Sequence, residues 1–161
     1  MLKRIAYVSI GLFLVIQFIR PPSNSRGNST NDISTTLTVP QQVQEVLHTS
    51  CYDCHSNATR YPWYWYVQPV GWWLNSHIQD AKQELNFSEF GTYRPRRQYI
   101  KLEQIVNEVS DDKMPLPSYL FIHTDARPSQ DQKARLIAWA NAARDSMKVK
   151  YPADSLERRR N

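Results

Sequence analysis

The segment SCYDCHSNATRYPWY, residues 50–64, contains both cysteines of the chain, Cys51 and Cys54, with His55 directly after the second. Cys-x-x-Cys-His is the spacing of covalent c-type haem attachment: the two thiols form thioethers with the vinyl groups, and the adjacent imidazole ligates the iron. Two cysteines scattered at random in a chain of this length would fall at this spacing in roughly one case in a hundred, and the following histidine makes chance poorer still. Two other chemistries use such a pair. A structural zinc site needs four ligands, yet no second Cys-x-x-Cys accompanies this one, and His48, His77 and His123 are dispersed. A thioredoxin-like disulfide needs a βαβ setting. The expectation is therefore one haem c per chain, held by Cys51, Cys54 and His55, with zinc and a redox disulfide as the alternatives.

A haem held in this way needs walls and either a second axial ligand or an open face. Met114 is the leading candidate ligand, because a thioether suits haem iron and because Met114-Pro115-Leu116-Pro117 makes a proline-fixed loop. His77 is the alternative, on the same helical stripe as Trp73, Leu74 and Ile78. Each competes with plain packing, since methionines commonly fill cores and a lone histidine on an apolar face is commonly a packed residue. The aromatic block at 61–66, followed by Trp72 and Trp73, reads as a wall for the macrocycle, with Trp63 and Trp73 as cofactor contacts, rather than as a nucleic-acid stacking platform. Arg60, and less directly Arg94, Arg96 and Arg97, are candidate partners for the propionates. His48 and His123 read as surface or supporting residues.

Working outward, apolar periodicity predicts four helices. The first covers 40–49, with Val43, Val46 and Leu47 on one face, and leads straight into the cysteine motif. The second covers 69–85, where Val70, Trp73, Leu74, His77, Ile78, Ala81 and Leu85 form a single stripe that would bury His77. The third, 96–110, stops before the Met114 loop because two prolines force the chain out of helix there. The fourth opens on Ser129 and Gln132, a capping-box spacing, and runs to 147. No alternating stretch of strand length competes, since Pro62 and Pro69 interrupt the aromatic block. The fold class is all-α.

The amino terminus, residues 1–20, is a basic start followed by an apolar run over 5–19. It reads as an uncleaved membrane anchor, with a cleaved signal peptide as the alternative. The next stretch, 21–38, is rich in Ser, Asn, Thr and Pro and reads as a flexible tether. Residues 39–150 are the haem domain, and 151–161 are a charged tail. Basic residues on both sides of the anchor lean weakly towards a cytoplasmic amino terminus, which puts the domain in the periplasm. A net charge of +5 and a pI near 9.3 invite a nucleic-acid reading. The basic residues are scattered between the two ends and one cluster, Arg94 to Arg97, so no nucleic-acid partner is expected. Matches to Asn-x-Ser/Thr at Asn28, Asn57 and Asn86 carry little weight.

The run SCYDCHSNATRYPWYWYVQPVGWWLNSHI, followed by LNFSEFGTY and KMPLPSY, resembles the small haem-binding domain family of Bacteroidetes-type bacteria, whose members look like single-haem c-type cytochromes behind an amino-terminal anchor. The resemblance spans about 39–143. It implies covalent haem on Cys51 and Cys54 with His55 proximal, and a cytochrome c-like helical domain in which the first and last helices cross. Three functions are open on this basis. One is a membrane-tethered periplasmic electron carrier without substrate turnover, exchanging electrons with redox protein partners. Another is a haem-based sensor or peroxidase-like protein with an open distal site, where His77 or Tyr119 acts on a small molecule. The third is an envelope module in which haem only completes the fold. No hydrolase triad, phosphate loop or carboxylate pair supports other chemistry.

Overall fold

A computed structural model describes residues 1–25, 27 and 30–156. Among them the chain is helical without a strand; the one β-type contact is an isolated bridge between Ser25 and Ala58. In chain order the α-helices are α1 (Leu2–Ile16), α2 (Ile33–Thr36), α3 (Gln41–Ser50), α4 (Tyr52–His55), α5 (Val70–Glu84), α6 (Pro95–Ser110), α7 (Pro117–Ile122), α8 (Gln130–Lys150) and α9 (Ala153–Leu156). Short 3₁₀ turns cover Trp63–Tyr66, Phe87–Thr92 and Thr124–Ala126. The four helices expected from periodicity are α3, α5, α6 and α8, with ends displaced by a few residues at most. Ser129 and Gln132 form the expected reciprocal capping box at the start of α8.

The core is built where α6 and α3 both pack against α8. Val43, Val46 and Leu47 of α3 meet Leu102, Ile105 and Val109 of α6, and Leu136, Trp139 and Ala140 of α8. Ala140 is fully buried, as a small side chain must be where neighbouring elements approach closely. A smaller cluster, Trp65 with Leu74 and Ile78, seats α5 on the aromatic turn. Gly71 permits that contact: a Cβ there would collide with the Trp65 carbonyl and the Gln68 side chain.

Three expectations are corrected. The stretch 21–38 is no flexible tether where it is described. Asp32 and Ile33 are buried, Ile33 within the main core, and the Asp32 carboxylate accepts from Ser34 N–H and from the Tyr52 hydroxyl at 2.9 Å. Asn24 donates to the Ser56 carbonyl and to Thr59, and Trp139 Nε1 donates to the Thr38 carbonyl at 3.0 Å. Polar composition hid these contacts because only Ile33, with Leu37 packed beside the core, carries the apolar burial and side-chain hydrogen bonds carry the rest. The tail also starts later than residue 151: α9 packs on α6 and buries Leu156 in the core. Residues 157–161, with the arginine run, lie outside the described residues, as does Asn28.

The third correction concerns the amino terminus. Among the described residues no helix is long and apolar enough to cross a membrane. With 15 residues α1 reaches about 22 Å, short of a hydrocarbon core of about 30 Å. Its C-cap, Gln17, keeps right-handed helical backbone and ties the helix end to the domain: its side-chain Nε2 donates to the Gln68 carbonyl, and its Oε1 accepts from Gln68 N–H at 2.8 Å. No residue of α1 is buried.

Candidate haem site

Helix α3 ends on Cys51, whose N–H bonds the Leu47 carbonyl at 2.9 Å. One further turn, α4, carries the rest of the motif. His55 N–H and Cys54 N–H both return to the Cys51 carbonyl. Of the three motif residues Cys51 and His55 line the adjoining cavity, while Cys54 lies outside its lining, near Tyr64 and Tyr119. Ser56 holds the turn's end: it is fully buried, its hydroxyl donates to the Tyr52 carbonyl at 2.7 Å and accepts from Ala58 N–H. Tyr52, the residue between the motif's first cysteine and Asp53, points into the core and stacks on Phe87 at 5.2 Å.

His55 is fixed from behind. Its Nδ1 lies 2.9 Å from the Leu85 carbonyl, an oxygen that only accepts, so Nδ1 carries the proton and Nε2 keeps its lone pair. Burial holds the imidazole below its usual pKa, with the backbone hydrogen bonds acting the other way, which keeps it neutral. Burial pushes the Cys51 thiol up to about 12, with Cys54 adding to it, and pushes Cys54 up to about 11, with Asp53 second. Both cysteines are free thiols.

A cavity of about 330 Å³ opens beside this turn. Cys51, His55 and Met114 all line it, within apolar surface from α3, α6 and Leu136 of α8. Helix α6 contributes a stripe at positions 101, 104, 105, 108 and 109. Lys101, at the start of that stripe, acts electrostatically on His55 and pairs with Glu84 at 3.1 Å. At its other end the Glu108 carbonyl accepts from Met114 N–H at 3.1 Å. The His55 and Met114 ends are thus separated along α6 by two turns, about 10 Å of rise. Asp112, at φ 56°, turns the chain out of α6, and Lys113 N–H reaches back to the Glu108 carbonyl. That left-handed exit, closed by a six-to-one hydrogen bond, is what delivers Met114 to the cavity.

Of the three methionines, Met147 is packed in the core and Met1 is terminal, so Met114 is the one that faces the cavity. The remaining expected contacts lie elsewhere. His77 does not line the cavity: its Nδ1 bonds the Trp73 carbonyl one turn back, and its ring packs against Trp73. The stripe of α5 is wider than the face it buries. Gly71, Leu74 and Ile78 turn inward, which rotates Val70, Trp73 and His77 to the outer edge. Trp63 and Trp73 are exposed and make no cavity wall; Leu85 and Phe87 line it instead. Arg60 is exposed and pairs with Asp53 at 3.2 Å, and Arg97 lies over the Tyr93 ring. His48 packs on Tyr52, and His123 bonds the Tyr64 hydroxyl.

Sequence reasoning missed Lys101 and Glu84. The signal was available: Lys101 precedes Ile105 and Val109 at four-residue spacing, so a cation sits on a core-facing row. Lys101 is almost wholly buried while Glu84 is exposed.

The donor set suits haem. One apolar cavity is lined by the His55 imidazole, the Met114 thioether and the Cys51 thiol, with the Lys101–Glu84 pair also in its lining. Among the described residues no group of three or more His, Cys, Asp and Glu side chains is placed to hold a metal ion, which leaves the zinc alternative without ligands. A family model described as a haem-binding domain matches residues 11–142. The chain belongs to this haem-binding domain family. The matched span takes in residues 21–38, in agreement with the packing of that stretch onto the haem-binding domain. No curated protein and no solved structure matches the chain.

Proposed function

We propose that this haem-binding domain is a single-haem c-type cytochrome that carries electrons between redox proteins. Its haem would be joined to Cys51 and Cys54, with His55 as proximal and Met114 as distal ligand. The observation that carries the reading is the convergence of Cys51, His55 and Met114 on one apolar cavity. Bound there, haem supplies a one-electron iron couple. The chain's own residues do the rest. Leu85 orients the imidazole, the α6 exit positions the thioether, and Ile105, Val109 and Leu136 keep water from the site. Lys101 offers a positive charge to a propionate carboxylate.

The packing of α3 on α8 supports a cytochrome c-like arrangement, in which the helix before the motif meets the late helix. The exposed apolar surface of α1 supports attachment of the chain to a membrane, and the basic residues Lys3 and Arg4 before the apolar run are the basis for placing the domain on the periplasmic side in this reading.

The test is spectroscopic. The chain, produced with haem-maturation machinery, is expected to retain haem after denaturing extraction and to give a thioether-type pyridine haemochrome. The ferric form should show the methionine-to-iron charge-transfer band and lose it in Met114→Ala, while His77→Ala leaves it intact. Extractable haem would end the covalent reading. Rapid carbon monoxide binding to the reduced chain, unchanged by Met114→Ala, would sink the six-coordinate carrier and favour a sensor or peroxidase-like protein.

A further inference from the structure

The aromatic block does not wall the cavity, and its exposed part faces solvent in a pattern the haem site leaves unexplained. Trp63 is 77% exposed, Tyr66 54% and Trp73 52%, and Val70 beside them is also open. Their spacing puts them on shared faces. In the 3₁₀ turn Trp63–Tyr66 the side chains at i and i+3 eclipse, so Trp63 and Tyr66 project together. In α5, Val70 and Trp73 are likewise i and i+3.

This surface is continuous with the foot of α1. Besides the paired hydrogen bonds between Gln17 and Gln68, Trp72 Nε1 donates to the Ile19 carbonyl at 2.7 Å, and the Arg20 guanidinium lies 5.9 Å from the Tyr66 ring centroid. Helix α1 exposes Ile5, Phe13, Ile10, Leu14 and Val8, which at about 100° per residue follow one another around its circumference, so whatever covers it is apolar on every side. A lipid bilayer meets that requirement, and a single protein groove does not.

From this continuity we propose that Trp63, Tyr66, Val70 and Trp73 form a membrane-interface seat, which lays the haem-binding domain against the headgroup layer of a phospholipid bilayer at the foot of α1. The proposal rests on the reading of the amino-terminal segment as the membrane attachment. Tryptophan and tyrosine are suited to that depth, with apolar rings for the acyl boundary and N–H or O–H groups for the headgroups. Arg20, at the same level, complements anionic phosphates. The seat also accounts for the short helix. A domain drawn down onto the interface carries Arg20 with it, and a helix of about 22 Å then reaches deeper than one hanging from a free tether.

The test uses the full haem-loaded chain labelled with 5-fluorotryptophan, in nanodiscs of phosphatidylcholine and phosphatidylglycerol with and without a gadolinium-chelating lipid. The difference between the two preparations cancels any relaxation due to iron. Each resonance is assigned by its Trp→Phe variant. The expected result is strong added broadening of Trp63 and Trp73 together with Trp72, while Trp139 in the core of α8 is unchanged. Broadening of Trp72 alone, with Trp63 and Trp73 behaving like Trp139, overturns the seat and leaves the attachment standing, with the patch free for a protein partner. A chain that is not recovered with the discs overturns the attachment and the seat together.

Discussion

His55 is held by the Leu85 carbonyl, and the bond's direction is set by chemistry: a backbone carbonyl accepts, so the Leu85 oxygen fixes the proton on Nδ1 and leaves Nε2 its lone pair, on a ring that lines the cavity. The two thiols beside it are held in the opposite condition, kept protonated by burial. In the haem-free chain at pH 8, Cys51 and Cys54 are therefore expected to react with iodoacetamide at least ~100-fold more slowly than after unfolding in urea, because the thiolate is the nucleophile. Equal rates in the two states, read by mass spectrometry, would show that burial does not protect them. Lys101 makes a second prediction at this scale. A cation in the lining of a haem-filled cavity would disfavour the more positive ferric state, so Lys101→Met should lower the midpoint potential of the haem-loaded chain by some tens of millivolts, roughly one screened charge, while Lys101→Arg keeps it. An unchanged potential in a spectroelectrochemical titration would remove Lys101 from the site.

Individual elements were legible in the sequence to the extent that their signal was local. The cysteine motif, the four long helices and the Met114 loop follow from spacing, stripes and prolines, all of which act within a few residues. Which edge of a stripe turns inward is not local. In α5 it depends on the aromatic turn, which packs its Trp65 carbonyl against Gly71 and so rotates Leu74 and Ile78 inward and His77 out. The α5 sequence alone admits either rotation, and the apolar side chains of Val70 and Trp73 favoured the wrong one. Gly71→Ala tests this packing, since a methyl group has no space between α5 and the turn. The expected cost is about 1–3 kcal/mol in urea unfolding. A variant as stable as the parent would mean that α5 stands off from the turn.

At the scale of the whole molecule, the domain is larger than its hydrophobic pattern. The core of α3, α6 and α8 is completed at both ends by residues in polar surroundings, Ile33 before it and Leu156 after it. The amino-terminal addition reaches the haem site through a short series of contacts. Asp32 accepts from the Tyr52 hydroxyl, Tyr52 stacks on Phe87, and the Phe87 ring stands edge-on to His55 at 6.1 Å. A chain beginning at Val39 loses the buried Ile33 side chain, the Asp32–Tyr52 bond and the Thr38 acceptor of Trp139. Together these are worth about 3–6 kcal/mol by the usual cost of a deleted core side chain and of broken buried hydrogen bonds. A chain beginning at Pro21 keeps all three and loses the Gln17–Gln68 pair and the Trp72–Ile19 bond, whose domain partners water can reach once the segment is gone, so it should stay within about 1 kcal/mol of the full chain. The comparison is made by urea unfolding at equal haem loading, with haem content measured separately. If the chain beginning at Val39 proved as stable as the one beginning at Pro21, the 21–38 stretch would be a tether after all, and its contacts with Tyr52 and Trp139 would carry no weight in the fold.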